Sequence, residues 1–407
     1  MTHMKFIVAH LGARRHYALP MILQKAGMLE HFFTDIYPYK GFSKLLNFVP
    51  SQIRPAPVKR LLGRQKIDIP SGKVTAFTKF GLEYFMRRYS SQNDILKTYL
   101  WAGKRFCNLV LREDLKNASG VYTFNSAGLE LLVEAKKKGL LTVMEQTIAS
   151  FETLQKLLEE ERIAFPDWDV RTSDISSSEE YISRERAEWG HADLILCGSE
   201  FVRTSIDEYG GPVDRCIVVP YGIDSSFSVK KRTRNGGPLR VLTVGSIGLR
   251  KGAPYVLTTA KLLEGLAEFR MIGPINLADK VIDNFRKHVE VIGPIPRSKL
   301  LEHYEWADVF LLPSLCEGSA IVCYEALSCG LPVITTPNAG SIVREGIEGF
   351  IVPIRDPEAI AEKLQLLINR PELLESMGES AMQRSQDFTI ENYGERLIKA
   401  IKEGLIS

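Results

Sequence analysis

Short apolar runs alternate with longer helical stretches along the second half of the chain. The runs are too short for helices and indicate buried strands. We predict strands at Arg240 to Val244, Phe269 to Ile272, Val289 to Ile292, Val309 to Leu312, Pro332 to Thr335 and Phe350 to Val352. Strands and helices that alternate in this way form βαβ units and build a doubly wound parallel sheet, whose ligands bind at the carboxyl ends of the strands.

The first half of the chain opens with the same pattern. Phe6 to Ala9 is predicted as a strand, followed by a loop at Gly12 and a helix through Leu29. Later strands are predicted at Gly120 to Phe124, Leu140 to Met144, Asp193 to Cys197 and Cys216 to Val219. The two halves join at VVPYGID, and the polar, basic stretch from Lys230 to Gly237 is the best linker. The sequence therefore predicts an α/β protein with two Rossmann-like doubly wound domains.

Composition narrows the class of protein only a little. The chain has 407 residues, of which 45% are hydrophobic and 25% charged, as in ordinary soluble globular proteins. A net charge of +3 is too small to indicate nucleic-acid binding. The six cysteines lack metal-ligand spacing, which favours buried thiols in a reduced cytoplasmic protein. No apolar run is long enough to span a membrane, and the short apolar start is a strand instead of a signal peptide.

The segment from Leu311 to Gly340, LLPSLCEGSAIVCYEALSCGLPVITTPNAG, carries the first candidate chemistry. Glu317 would follow a buried strand, and Glu325 would lie about two turns into a helix from Ser319 to Ser328. Free backbone N–H groups at the helix start favour phosphate, whereas carboxylates suit sugar or ribose hydroxyls. This combination indicates a nucleotide-sugar site.

A second candidate site follows the strand that ends at Val244. Its loop, GSIGLRKG, contains glycines and the two cations Arg250 and Lys251, and a helix is predicted from about Pro254. Cations at the carboxyl edge of a parallel sheet can neutralise a diphosphate and stabilise it as it leaves. Lys251 could instead be a solvated side chain at a helix start.

The spacing of Glu317 and Glu325 resembles the E-x7-E signature of retaining glycosyltransferases of family 4, which have the GT-B fold. The resemblance implies that Glu317 contacts the transferred sugar and Glu325 the ribose of a nucleotide-diphosphate sugar. It further implies that backbone near Gly318, Ser319 and Ala320 faces the sugar and the distal phosphate. Lys251 matches the family's lysine. The family's arginine falls on Ser246, and Arg250 is our candidate for the missing charge.

Other segments extend the resemblance. VVPYGID is similar to the family's junction between domains, and residues 388–407 resemble a terminal helix that crosses back onto the first domain. We therefore expect an acceptor domain at 1–220, a donor domain at 221–387 and the crossing helix at 388–407. The family's nucleobase segment falls at Ile295, which could equally be a packing residue, and the sequence does not distinguish uridine, guanosine and adenosine. Gly12 would allow close approach of the sugar donor.

The predicted acceptor side is less specific. Arg14, Arg15 and His16 follow Gly12 and could bind an anionic acceptor or form a solvated helical turn. The histidine that many family members have at a central strand end is missing, and Glu145 or Gln146 could take over its positioning role. Either could instead simply cap the strand.

Residues 40–79 contain nine Lys or Arg residues but one acid, Asp68, with apolar patches between them. This mix suits peripheral contact with anionic lipid on the inner membrane face, an opening for a phosphorylated acceptor, or a solvated loop. Asp167-Trp168-Asp169 matches a metal-binding D-x-D pattern but lies at no predicted strand end. We expect that the protein binds no metal and requires no other cofactor.

These observations predict a cytoplasmic glycosyltransferase that moves a sugar from a nucleotide-diphosphate sugar to a glycan, lipid-linked or other hydroxyl acceptor. The resemblance to family 4 implies that transfer retains the anomeric configuration. Glu317, Lys251 and Arg250 would carry the chemistry. Two alternatives stay open: another GT-B enzyme such as a phosphorylase or epimerase, and a non-catalytic nucleotide-binding subunit of a polysaccharide-assembly complex. The sequence leaves the sugar, acceptor and oligomeric state undetermined.

Overall fold

The structure is a computed structural model that describes residues 4–12, 17–37, 69–90, 95–115, 117–169, 175–224, 227–229 and 236–405. The described residues form two domains, each built on a parallel β-sheet with helices on both faces. Their helices are α1 Ala18–Lys25, α2 Thr78–Ser90, α3 Ile95–Val110, α4 Leu129–Lys137, α5 Phe151–Ala164, α6 Ile175–His191, α7 Glu200–Glu208, α8 Ala253–Leu262, α9 Asp279–Phe285, α10 Arg297–Trp306, α11 Ile321–Ser328, α12 Pro357–Asn369, α13 Pro371–Gln386 and α14 Ile390–Gly404.

The first sheet has seven strands in the order β3-β2-β1-β4-β5-β6-β7. They are β1 Phe6–His10, β2 Leu29–Thr34, β3 Val74–Ala76, β4 Gly120–Phe124, β5 Leu141–Gln146, β6 Leu194–Cys197 and β7 Cys216–Val218. The chain reverses its direction of progress across the sheet between β1 and β4, where a ligand crevice is expected. This sheet confirms the predicted α/β architecture of the first half.

The second sheet has six parallel strands in the order β10-β9-β8-β11-β12-β13. They are β8 Leu239–Val244, β9 Ala267–Ile272, β10 Val289–Ile292, β11 Val309–Leu312, β12 Val333–Thr335 and β13 Gly349–Ile351. The reversal lies between β8 and β11, which pair directly through Val309 with Val241 and Phe310 with Leu242. The loops that follow these two strands therefore emerge side by side.

The first helix was predicted to extend to Leu29, and this predicted end is wrong. Helix α1 ends at Lys25, and Gly27, with a φ of +69°, turns the chain into β2 at Leu29. A left-handed residue of this kind is the usual end of a helix. Neither β2 nor β3 was predicted, whereas every strand that we predicted is present within two residues of its expected bounds.

The chain passes between the two domains at two adjacent points. The amide of Ile223 donates to the carbonyl of Phe388 at 2.8 Å, and the amide of Ile390 donates to the carbonyl of Ile223 at 3.0 Å. Helix α14 then packs on the first domain, where Gly394 faces Ile22 of α1. The crossing terminal helix is thus present.

A buried carboxylate also joins the two domains. Glu161 of α5 accepts from the hydroxyl of Tyr255 on α8 at 2.8 and 2.9 Å and pairs with Arg355 at 2.6 Å. Glu161 is fully buried, and an unpaired carboxylate in such a place would destabilise the fold. Tyr255 and Arg355 supply the hydrogen bonds and the opposite charge that compensate for its burial. Helix α5 is therefore fixed against the second domain.

All six cysteines are buried and free, as the sequence predicted. Along the described part of the chain, no helix is long and apolar enough to cross a membrane.

Candidate functional site

The candidate site lies where β8 and β11 end, at the reversal point of the second sheet. The loop after β8 begins at Gly245 with a φ of +147° and ends at Gly252 with a φ of +73°. Between them, the short 3-10 turn Leu249–Lys251 places Arg250 and Lys251 side by side. A side chain at Gly252 would overlap the carbonyl of Pro313, so glycine allows the two loops to pack closely.

Arg250 and Lys251 converge on the carboxylate of Glu317. Arg250 Nη1 lies 2.6 Å from Glu317 Oε1 and also donates to the carbonyl of Cys316 at 2.8 Å. Lys251 Nζ lies 2.6 Å from the same carboxylate oxygen. Two cations and one anion give this cluster a net charge of about +1, which favours an anionic ligand beside it.

The surrounding structure keeps Glu317 ionised. Burial alone would raise the pKa of its carboxyl group, but the charges of Lys251 and Arg250 outweigh burial and lower that pKa below its usual value. Lys251 has 8% of its side-chain surface exposed and Arg250 has 31%, so Lys251 is the more enclosed of the two cations.

The loop from Glu317 to Ala320 is held by the segment that follows β12. The amide of Glu317 donates to the carbonyl of Asn338 at 3.0 Å, and that of Ala320 to the carbonyl of Ala339 at 3.1 Å. Helix α11 starts at Ile321, two residues later than predicted, so Glu325 lies one turn into it instead of two. No described residue accepts a hydrogen bond from the amides of Ile321 and Val322, which are the ordinary orphan donors of a helix start.

The same loop contacts the first domain. Ser199 Oγ donates to the carbonyl of Gly318 at 2.5 Å, and the amide of Ala149 donates to the carbonyl of Glu317 at 3.3 Å. A side chain at Gly318 would overlap the carbonyl of Thr147. Ser319 is buried and shares a 2.7 Å hydrogen bond with Tyr324. The predicted sugar-facing backbone therefore lies at the contact between the domains.

The carboxylate of Glu325 is buried, whereas a carboxylate that accepts hydrogen bonds from ribose has to be accessible to it. It is 1% exposed, accepts from the hydroxyl of Tyr304 at 3.0 Å, and pairs with Arg297 at 2.5 Å. Burial raises the pKa of Glu325, and the charge of Arg297 partly opposes this. Arg297 also lies 5.0 Å from the ring centre of Phe227. Sequence reasoning missed Arg297 and Tyr304 because no local pattern links them to Glu325.

The other predicted donor residues lie around this centre. Ile295 is half-buried against the hydrophobic core, and Ser246 is half-buried on the wall of a cavity between the domains. Gly12 has a φ of +89°, and its amide donates to Asp35 at 3.2 Å. Arg14, Arg15 and His16 lie outside the described residues.

Glu145, a predicted acceptor-side residue, is buried at the end of β5. Its carboxylate accepts from the hydroxyls of Tyr122 at 2.7 Å and Tyr221 at 2.9 Å. Tyr221 lies at the join between the domains, so Glu145 contributes to the packing of that join. Its role toward an acceptor stays a prediction.

The D-x-D pattern lies in a loop, as predicted. Asp167 pairs with Lys280 at 2.8 Å, and Asp169 pairs with Arg162 at 3.0 Å. Across the residues that the structure describes, no three His, Cys, Asp or Glu side chains are grouped in a way that could hold a metal ion.

Glu185 of α6 is a further buried carboxyl near the site, which sequence reasoning also missed. It accepts from Gln146 and from the amide of Phe151, both at 2.8 Å. Burial nevertheless raises its pKa to about 7 from 4.5. The folded protein therefore retains a proton on Glu185 at pH values where the unfolded chain has lost it.

Replacing Glu185 with glutamine should reduce the pH dependence of stability. Between about pH 4.5 and 7 the wild type loses free energy of unfolding as pH rises, because ionised Glu185 is tolerated only in the unfolded chain. The variant should lack that part of the loss, up to about 3 kcal/mol. Urea unfolding at several pH values measures it, with exposed Glu180→Gln on the same helix as the control. Equal pH slopes in all three proteins would contradict the assignment.

Comparison with solved structures identifies the fold as GT-B. The HepE protein of Anabaena, solved in complex with UDP, superposes with a TM-score of 0.64 at 12% identity, covering 98% of this chain and 100% of that one. Sucrose-phosphate synthase from Thermosynechococcus elongatus gives a TM-score of 0.64 at 16% identity, covering 98% and 99%. Both likenesses concern the fold.

Sequence comparison adds a family match in the second domain. Residues 224–384 match the family described as glycosyl transferases group 1. An uncharacterised glycosyltransferase of Methanocaldococcus jannaschii is 28% identical over 49% of this chain and 57% of its own length. The D-inositol 3-phosphate glycosyltransferase of Thermobifida fusca is 30% identical over 57% and 60%. The chain spans about half the length of the curated relatives that it matches.

Proposed function

We propose that this protein is a glycosyltransferase that moves a sugar from a nucleotide-diphosphate sugar to a hydroxyl acceptor. The observation that carries the proposal is the convergence of Arg250 and Lys251 on Glu317 beside the start of α11. Positive charge and free amides there can bind a diphosphate, and a fixed carboxylate can bind sugar hydroxyls. The match to glycosyl transferases group 1 supports the same activity.

Each group has a specific role in this proposal. Lys251, Arg250 and the amides of Ile321 and Val322 take up the charge of the departing diphosphate, and Glu317 orients the sugar through its hydroxyls. Because these charges are already in position, little reorganisation is needed during the reaction. The two side-chain cations supply the positive charge, so we propose no required cofactor.

We further propose that transfer retains the anomeric configuration. The acceptor hydroxyl attacks the anomeric carbon from the face on which the diphosphate leaves. The bond from that carbon to the diphosphate oxygen breaks, the bond to the acceptor oxygen forms, and the acceptor's proton passes to the departing diphosphate. This matches the E-x7-E spacing of family 4 and uses no nucleophilic side chain.

The domain roles follow from the same proposal. Residues 221–387 would bind the donor, residues 1–220 the acceptor, and residues 388–407 would connect them. Glu145 and the segment around Arg14 are candidates on the acceptor side. A cytoplasmic protein in peripheral contact with anionic lipid through residues 40–79 fits the charge of that segment. Residues 40–68 lie outside the described residues, and Lys73 donates to the carbonyl of Leu29, a structural contact.

Ribose binding at Glu325 requires an exchange of partners. Arg297 covers the carboxylate in the structure, so the ribose hydroxyls would replace its guanidinium. Arg297 is 44% exposed and has solvent to move into, whereas Tyr304 is fully buried. The donor site would thus be completed when the nucleotide enters.

Calorimetric titration with UDP, GDP, ADP and dTDP tests the donor site. We expect one nucleotide to bind the wild type and Glu325→Ala to weaken that binding by about 1–3 kcal/mol, the usual loss for a hydrogen bond to a charged group. Arg297→Ala is the matched control, because it breaks the same ion pair but keeps the carboxylate.

Three outcomes are distinguishable. A larger loss in Glu325→Ala than in Arg297→Ala supports ribose contact by Glu325. Equal losses would contradict that role and indicate that only the ion pair matters. A folded wild type that binds none of the four nucleotides would overturn the transferase proposal in favour of a scaffold protein.

A further inference from the structure

A cavity of about 390 Å³ lies between the domains, beside the candidate donor site. Helices α3, α5 and α6 of the first domain form most of its wall, and the loop from Ser246 to Arg250 closes it from the second domain. Its volume falls within the range of small-molecule sites in proteins. Arg250 and Ser246 line it from the second domain, whereas the residues that line it from the first domain have no role in the proposed donor site.

Helix α5 presents an apolar face to the cavity. Phe151, Leu154 and Leu158 follow one another at helical spacing, and all three are half-buried and line the cavity. Leu154 also packs against the small core cluster that contains Leu157. Tyr99 of α3 and Tyr181 of α6 add aromatic surface to the wall. A concave, mainly apolar wall of this kind is typical of a ligand site.

The cavity reaches the reacting centre through Arg250. Arg250 lines the cavity, and its guanidinium holds the carboxylate of Glu317 at 2.6 Å. A molecule in the cavity would therefore have one end next to the groups that we assign to the sugar and diphosphate. This position suits the second substrate of a transfer reaction.

Both arginines of the cavity wall are paired with carboxylates of the protein. Arg162 is paired with Asp169 at 3.0 Å, and Arg250 is paired with Glu317. Glu185 adds a carboxyl group that is held near neutrality by burial. Apart from Arg250, which we assign to the donor diphosphate, apolar contact is the main interaction that the described wall of the cavity offers.

We propose that this cavity binds the apolar body of an amphipathic acceptor, such as an alkyl or aryl glycoside or alcohol. The acceptor hydroxyl would lie at the Arg250 end, and the alkyl or aromatic part would lie against α5. This inference rests on the proposed transferase function and specifies the chemical class of its second substrate.

The test uses n-octyl β-D-glucopyranoside, below its micelle concentration, as the probe, and methyl β-D-glucopyranoside as its polar counterpart. Calorimetry or saturation-transfer NMR on the full chain measures both. The double variant Leu154→Gln/Leu158→Gln replaces two apolar groups on one face of α5 with polar groups of similar size. The double variant Leu154→Met/Leu158→Met is the matched control, since all these residues favour helices.

We expect the octyl glycoside to bind the wild type and the methionine variant alike, and the glutamine variant to bind it roughly tenfold more weakly. The methyl glycoside should bind none of them measurably. Nucleotide affinity should be the same in all three proteins, because neither Leu154 nor Leu158 is a residue that we assign to nucleotide binding.

Two results would overturn the proposal. If nucleotide binds but the octyl glycoside binds no better than the methyl one, or binds both double variants equally, the cavity is not an acceptor site and the transferase function stands. If the octyl glycoside binds but no nucleotide does, the acceptor role fails together with the proposed function, because the apolar site would have no donor beside it.

Discussion

Replacing Lys251 with methionine should lower the rate of sugar transfer by about 100- to 1,000-fold, the usual effect of removing one group that stabilises developing charge. Its ammonium group is nearly enclosed and lies 2.6 Å from Glu317, where the diphosphate charge would develop. Methionine keeps a similar unbranched chain and so preserves packing. Arg250 remains to compensate Glu317, which should keep the loop folded.

The assay measures release of nucleotide, with and without acceptor, from nucleotide-diphosphate sugars that contain the nucleotide identified by calorimetry. Lys261→Met is the control, because Lys261 is an exposed lysine on the adjacent helix α8. Thermal unfolding of both variants checks their fold. A Lys251 variant that is folded and as active as the control would show that this lysine does not act on the leaving group.

Replacing Gly318 with alanine should abolish most of the activity while leaving each domain folded. The new methyl group would overlap the backbone carbonyl of Thr147, which cannot rotate away as a side chain could. The contacts of Ser199 and Ala149 with this loop would be lost, so the domains would meet in a shifted position. A displacement of about 1 Å at a reacting centre can cost about 100-fold in rate.

Small-angle X-ray scattering and the nucleotide-release assay together check the Gly318 variant. Gly190→Ala is the control, since Gly190 is exposed on α6 and nothing lies within 4 Å of an added methyl group. We expect a more open average shape and low activity in Gly318→Ala only. Full activity with an unchanged scattering profile would show that the close contact at Gly318 is not needed.

Each strand that the sequence predicted has at most one charged residue in its apolar run. Strand β2, LEHFFT, was missed because Glu30 and His31 interrupt its pattern and because Met28 and Leu29 extend the apolar pattern of α1. Strand β3 has three residues, Val74–Ala76, and is defined by its pairing with β2 more than by its own composition. Local pattern cannot reveal a strand whose stability comes from its neighbour.

The part of the candidate site that the sequence could predict lies in two short loops. Glu317, Arg250 and Lys251 lie in the loops that follow two predicted strands, and parallel topology brings these strand ends together. The pairing of Glu325 with Arg297 and the cavity lined by α3, α5 and α6 were not predictable. Both depend on groups from separate elements, whose mutual position only the folded chain defines.

The adjacent crossings between the domains make the second domain an insertion within the first. Its entry at Ile223 and its exit at Phe388 are joined by backbone hydrogen bonds, and the chain then resumes the first domain with α14. The inserted domain begins and ends at adjacent points of the chain. Replacing it with a homologous domain would therefore leave the strand order of the first domain unchanged. If the proposed domain roles hold, donor preference can change with the inserted domain while acceptor preference stays with the first domain.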